Sequence, residues 1–141
     1  MRRVIVASPG YLARHGTPDT PADIEHHRII GGSAGAQISS WQFERDGKVS
    51  SITLNPQVSI NDTAGALAAA TGGLGITSTT SWACALELES GALVHLFPEW
   101  KMAELPVHAY FPMGRPRAWQ RAFADFLAAT LASDTRHFVN L

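Results

Sequence analysis

Residues 4–30, VIVASPGYLARHGTPDTPADIEHHRII, set the order strand, helix, helix, strand. Val4, Ile5 and Val6 make a short apolar run of the kind buried on both faces of a sheet, and the strand extends over residues 2–7. Ser8 precedes Pro9, which places a capping hydroxyl before a proline at the first helical position, where its missing N–H costs nothing. Gly16 ends that helix. Thr20-Pro21-Ala22-Asp23 repeats the device, with Thr20 as cap, Pro21 first in the helix and Asp23 in the first turn, a capping box with Asp in place of Glu. Ile29 and Ile30 open the next strand.

Beyond this run the pattern alternates in the same way. Trp41 and Phe43 alternate up to Asp46-Gly47, a strong two-residue hairpin signal, and Val49, Ile52 and Leu54 continue past it. Residues 58–60 form another strand, and Asn61-Asp62 can cap the alanine-rich helix predicted over 63–71. Gly72-Gly73 ends that helix, and residues 74–77 make a short strand. Trp82, Ala85, Leu86 and Leu88 then recur at helical spacing as far as Gly91, and residues 93–97 return as a strand. Pro106 and Pro112 bracket a last short strand at 107–111. Strands separated by helices predict an α/β fold, a mainly parallel sheet with helices on both faces.

The final helix is the clearest periodic segment, with Pro116 near its start and Trp119, Ala122, Phe123, Phe126, Leu127, Thr130 and Leu131 on one stripe. Exposing Trp119, Phe123, Phe126 and Leu127 costs roughly 6 to 12 kcal/mol, against about 7 to 21 kcal/mol of total stability for a chain of this size. The stripe therefore calls for a partner, on its own lobe or on another subunit.

A length of 141 residues is enough for one ordinary domain. Hydrophobic residues at 45% and charged residues at 16% place it among globular chains rather than disordered ones. A net charge of −1 provides no basic footprint for nucleic-acid phosphates. Cys84 is the single cysteine, so no intramolecular disulfide forms, and no stretch reads as a signal peptide or membrane span. The cytoplasm is the compartment these features predict.

Several motifs carry chemistry on paper. Gly31-Gly32-Ser33-Ala34-Gly35 matches the G-x-S-x-G nucleophile elbow and follows a strand, but the elbow must lead into a helix, whereas Ser39, Ser40 and Trp41 run toward a hairpin. The competing readings are a connecting loop and a ligand loop whose glycines admit backbone N–H groups to a small anion. Thr71-Gly72-Gly73-Leu74-Gly75 precedes a strand and lacks phosphate-loop spacing, so it reads as a helix stop and tight turn. His26 and His27 are adjacent, point apart and cannot chelate one metal together. Cys84, among Trp82, Ala83 and Ala85, reads as a packed thiol. Arg115, Arg117 and Arg121 read as the solvated start of the last helix. No catalytic residue, cofactor or metal is expected.

The run at 4–30 resembles the effector-sensing domain of LysR-type transcriptional regulators, in which a strand enters SP-x-YL, a Gly-x-P turn, a P-A-D-L/I helix, then H-R and a strand. The resemblance continues through Trp41-Gln42-Phe43 with Asp46-Gly47, Asn61-Asp62 with the alanines of 64–70, and Gly73-Leu74-Gly75-Ile76. Gly91-Ala92-Leu93-Val94, Leu96-Phe97-Pro98-Glu99-Trp100 and Ala122-Phe123-Ala124-Asp125-Phe126-Leu127, with Arg121 in register, carry it to about residue 132. Thr77-Ser78-Thr79-Thr80 departs from it, standing where the family often has an apolar pair and a proline, and makes that pocket wall more polar.

The resemblance implies a type II periplasmic-binding-protein-like regulatory lobe that senses a small molecule, and a homo-oligomer that reaches DNA only through a helix-turn-helix segment not in this sequence. It assigns residues 1–7 to a hinge strand, 8–106 to the second, effector-binding lobe, and 107–141 to a return strand and a helix of the first lobe. Ligands of open α/β sheets sit at the carboxyl ends of strands. That rule selects Ser33, Asn61, Thr77 and Ser78, with Asp62 as a helix cap, for a small carboxylate or similar polar ligand. Two other classes compete with this reading: a serine hydrolase using Ser33, and a solute-binding transport component built on the same lobe.

Overall fold

Alternation along the first strand, β1 (Arg3–Ala7), divides the molecule into two apolar layers. Successive strand side chains point to opposite faces. Ile5 and Ala7 accordingly join one cluster with Tyr11, Ile24, Trp41 and Phe43, while Val4 and Val6 join another with Leu67, Ala70, Cys84 and Leu93. A computed structural model describes residues 1–31, 40–111 and 117–133.

The element order follows the sequence reading closely. After β1 come α1 (Pro9–His15), a 3₁₀ helix (Pro21–His26), β2 (Ile29–Gly31), β3 (Ser40–Arg45), β4 (Lys48–Thr53) and β5 (Val58–Ser59). They are followed by α2 (Thr63–Thr71), β6 (Ile76–Thr80), α3 (Ala85–Glu89), β7 (Val94–Leu96), β8 (Lys101–Met102) and α4 (Ala118–Ser133). A five-stranded sheet runs β5-β2-β6-β1-β7, and a three-stranded sheet runs β4-β3-β8. Tyr11 and Ile24 bring α1 and the 3₁₀ helix into the first cluster, with Trp41 and Phe43 of β3; α2 packs into the second, so helices cover both faces.

The large sheet is mixed, which corrects the mainly parallel expectation. β2 pairs parallel with β5 and β6, but β1 pairs antiparallel with β6 and β7. The cause lies between β1 and β2. A helix that crosses the sheet delivers its next strand parallel to the last, but α1 and the 3₁₀ helix are short and double back on one another. The Tyr11 hydroxyl accepts the backbone N–H of Arg28 at 2.9 Å, so the beginning of the excursion touches its end and β2 starts from the edge at which β1 finished.

The local signals act as their chemistry requires. Ser8 Oγ accepts from Tyr11 N at 3.3 Å, and the Asp23 carboxylate accepts from Thr20 N at 2.8 Å and Asp19 N at 3.1 Å. Asp62 Oδ2 accepts from Gly65 N at 2.7 Å and caps α2. The hairpin turns at Asp46 (φ 52°) and Gly47 (φ 74°), both left-handed as a type I′ turn demands. Trp41 and Phe43 face inward from β3, and the Phe43 ring meets that of Phe97 edge to face at 6.0 Å.

Two expectations change. Residues 107–111 form no strand; the backbone pairing nearest to them is between Met1 and Leu105, which exchange N–H···O bonds of 2.7 and 2.8 Å. A strand exists only through its ladder, and no described residue continues that one. The apolar stripe of α4 stays uncovered among the described residues: Trp119 is 65% exposed and Phe126 64%, and α4 adds nothing to either core cluster.

Candidate functional site

Because β2, β5 and β6 run parallel, their carboxyl ends share one edge of the sheet. Gly31, Ser59 and Thr80 end these strands. The antiparallel β1 brings its first residue, Arg3, to the same edge, in register with Thr80. β7 ends there as well, since Leu96 faces Ile5, and Phe97 then turns the chain with a left-handed φ of 58°. For a bulky residue that conformation costs about 1 to 3 kcal/mol, offset here by burial of its ring against Phe43. The turn carries Pro98, Glu99 and Trp100 back over the three-stranded sheet. Ser81 N donates to Arg2 O at 3.0 Å and closes the ladder at this edge.

The four residues selected from sequence do not all meet here. Ser33 lies outside the described residues; the next described element after β2 is the strand β3. Asn61 is exposed at the edge, one residue before the capping Asp62. Thr77 is inside β6 rather than after it, fully buried, and its hydroxyl donates to the Ile30 carbonyl at 3.1 Å. Ser78 is its neighbour but faces the opposite layer, beside Ile5, with its Oγ buried and without a hydrogen-bond partner among the described residues. Strand β6 ends at Thr80, three residues later than the predicted end at 77. The β-branched run Thr77, Thr79, Thr80 carried that signal, since threonine favours the pleated sheet. Arg3, Thr80 and Trp100 are the edge residues that sequence reading passed over.

Two groups outside the edge have other roles. Burial and nearby Glu87 push the Cys84 thiol to about 11, and its sulfur lies 3.5 Å from the Thr80 carbonyl oxygen, so it packs as an inert protonated group. Tyr11 Oη accepts from Arg28 N and shares a second hydrogen bond with His27 Nδ1 at 3.2 Å, with His15 stacked on its ring at 4.6 Å. Burial above all, then the His15 charge, draws His27 below the ordinary imidazole range, with Asp23 opposing and His26 adding to it. Burial and then Arg2 draw His95 the same way, against Glu99.

A histidine whose pKa is depressed in the fold stabilises it fully above the unfolded value near 6.5 and loses that contribution as pH falls through the folded value. The urea midpoint should therefore fall between pH 7 and pH 5. In His27→Asn, whose amide oxygen replaces Nδ1, the fall should be shallower. A slope identical to that of the wild type would remove His27 from the account.

Comparison with known proteins follows the same outline. The sequence profile of the LysR substrate binding domain matches residues 1–132. The probable HTH-type transcriptional regulator LtrA of Klebsiella pneumoniae is 35% identical over 101 residues, which are 72% of this chain and 33% of that protein. The HTH-type transcriptional regulator PtxR of Pseudomonas aeruginosa is 29% identical over 136 residues, 94% of this chain and 43% of its own length. This chain thus spans less than half of either regulator. The regulatory domain of CrgA, a LysR-type transcriptional regulator from Neisseria meningitidis, superposes with a TM-score of 0.72 at 23% identity, covering 92% of this chain and 65% of that one. That likeness establishes the fold.

Proposed function

Because the chain belongs to the LysR substrate binding domain family, we propose that it is the second lobe of an effector sensor and holds a small polar metabolite at the carboxyl edge of its large sheet. The observation that supports this most directly is the convergence of β2, β5 and β6 on the edge where β1 enters and where Met1 and Leu105 pair. Two chain crossings beside a row of strand ends are what a hinged cleft requires, since the ligand then contacts the elements that must rotate. In this reading residues 1–7 and 107–141 are the crossings and a helix of the first lobe, and residues 8–106 are the sensing lobe.

At the cleft the exposed Asn61 supplies an amide group and Ser33 is the proposed hydroxyl donor, while Thr77 holds β2 to β6 and the buried Ser78 backs the same strand. The protein is not an enzyme. The complete regulator is a cytoplasmic homo-oligomer that reads DNA through a helix-turn-helix segment, and effector binding shifts how its subunits sit on the operator. No helix among the described residues is long and apolar enough to cross a membrane.

The test is a screen of small polar metabolites against isotopically labelled chain by NMR. Ligands should move the amides of Asn61, Thr80 and Ser81. Shifts clustered on the opposite edge, around Ser8 and Gly73, would overturn the assignment, as would labelling of Ser33 by a fluorophosphonate.

A further inference from the structure

The Tyr11 hydroxyl ties the beginning of the helical excursion to its end, and its hydrogen-bonding capacity is fixed by chemistry. A phenol oxygen has one proton to donate and lone pairs with which to accept. One lone pair takes the Arg28 N–H at 2.9 Å, and the second partner is His27 Nδ1 at 3.2 Å. Tyr11 is 1% exposed, which leaves little room for water to complete the set. The Arg28 peptide is clamped from its other side as well, since its carbonyl oxygen accepts Ile76 N at 2.8 Å. The next residue, Ile29, opens β2, and its N–H donates to Gln57 Oε1 at 2.6 Å. Tyr11 therefore helps to set the point from which β2 pairs with β6 and runs to the carboxyl edge.

Protonation of His27 changes this arrangement in one direction only. A neutral imidazole can meet the hydroxyl at Nδ1 as acceptor or as donor, according to tautomer, but a charged one carries a proton on both nitrogens and can only donate. Tyr11 Oη then faces two donors, Arg28 N–H and His27 Nδ1–H, and its own proton has no acceptor among its described partners. The titratable and charged groups on the surrounding elements are Arg14 and His15 on α1, Asp23, Glu25 and His26 on the 3₁₀ helix, Arg28 at the entry to β2, and Lys48 on β4, which packs against the 3₁₀ helix. Of the acids, Asp23 already accepts from Thr20 N and Asp19 N, and Glu25 is 3.6 Å from His26. Among the described residues no acid pairs with His27 itself. Burial first, then His15, hold His27 below the ordinary imidazole range, so it takes up its proton only in acidic solution.

We propose that Tyr11 and His27 form an acid-released latch on β2: with His27 neutral the hydroxyl holds the Arg28 N–H, and with His27 charged the hydroxyl turns away, Arg28 is freed and the pairing of β2 with β6 loosens at its start. The inference goes beyond the ligand-binding reading and stands whether or not the carboxyl edge holds an effector. Its consequence is regulatory, because β2 lies between β5 and β6 and ends at Gly31 on that edge, so a proton taken up at one end of the strand acts on the other. The opposite apolar layer, with Leu67, Ala70 and Cys84, contains no part of the latch.

The experiment follows amide hydrogen exchange in the isotopically labelled chain between about pH 7 and pH 5, expressed as protection factors so that the intrinsic pH dependence of exchange cancels, while the His27 ring protons report its midpoint. As His27 charges, Arg28 N–H should lose about tenfold or more protection beyond any loss at Leu67 and Ala70 of α2, whose amides follow global stability, and Ile76 N–H should fall between them. In His27→Asn that extra loss should vanish, with Arg28 protected throughout. In Tyr11→Phe Arg28 should be poorly protected at every pH. The asparagine variant leaves the buried Tyr11 ring in place and decides the question if Tyr11→Phe does not fold. Arg28 protection that stays constant across the His27 midpoint, or falls no further than that of Leu67 and Ala70, overturns the latch. So does an extra loss in His27→Asn equal to that of the wild type, which would move the proton to another group such as His15.

Discussion

Gly75→Ala should destabilise the chain by about 3 kcal/mol or more, which places the urea midpoint far below that of the wild type. The reason is space. A Cβ built on Gly75 falls 2.3 Å from the Arg28 carbonyl oxygen and 3.0 Å from its carbonyl carbon, both backbone atoms that no rotamer change can move. That same oxygen accepts the N–H of Ile76 at 2.8 Å, the bond that starts the pairing of β2 with β6. Relieving the clash means moving β6 off β2, and the carboxyl ends of both strands define the candidate cleft. Gly73 makes an instructive control. Its φ of +81° disfavours alanine, but its new Cβ would crowd the tip of the Arg14 side chain at 2.7 Å, which can swing away, and would meet Ser8 Oγ at an ordinary 3.6 Å. Gly73→Ala should cost about 1 kcal/mol, the ordinary charge for a left-handed residue. Chemical denaturation of both variants decides the matter. Equal costs would mean that Gly75 is needed for its backbone conformation and not for the gap it leaves beside Arg28.

This pair also shows what the sequence could and could not reveal. Gly72-Gly73 reads from sequence as a helix stop, and Gly73 is one in the structure, since glycine after a helix is a local signal. Gly75 does its work against Arg28, a residue 47 positions away, and no local rule encodes that contact. The same division runs through the fold. Ser8, Asp23, Asp62 and Asp46-Gly47 act on neighbours within a few residues, so their roles were legible. The direction of β1 was not, because apolar alternation reports which face is buried and says nothing about the direction of the partner strand. At the site, the carboxyl-edge rule found Asn61 but stopped β6 at residue 77, three residues short, and so selected a threonine that the sheet itself uses. Arg3 escaped notice for a related reason. In sequence it is the polar start of a strand, and only its register with Thr80 places it at the carboxyl edge.

Phe43→Ala should cost about 3 to 5 kcal/mol, a substantial part of the roughly 7 to 21 kcal/mol expected for a chain of this length. Phe43 is 1% exposed and, with Trp41, carries the small sheet into the apolar layer it shares with the large one. It pairs with Ser50 of β4 on one side and Met102 of β8 on the other, and its ring meets Phe97 edge to face. Truncation removes the transfer free energy of the ring, the aromatic pair and the packing of the cavity wall at once. It also removes the contact that offsets the left-handed turn at Phe97, so that turn should relax and release Trp100 from the edge. Two readouts separate this chain of effects from general damage. The urea midpoint should drop with an unchanged slope, as for a pure stability loss. Trp100 fluorescence should shift to the red below the unfolding transition, while the Cys84 thiol, in the other apolar layer, should stay slow toward a thiol reagent. Val49→Ala, at a site 68% exposed on the same small sheet, should change stability by no more than about 0.5 kcal/mol. A Phe43→Ala cost below about 1 kcal/mol would mean that the two sheets are held together elsewhere, and that the turn at Phe97 stands without its ring partner.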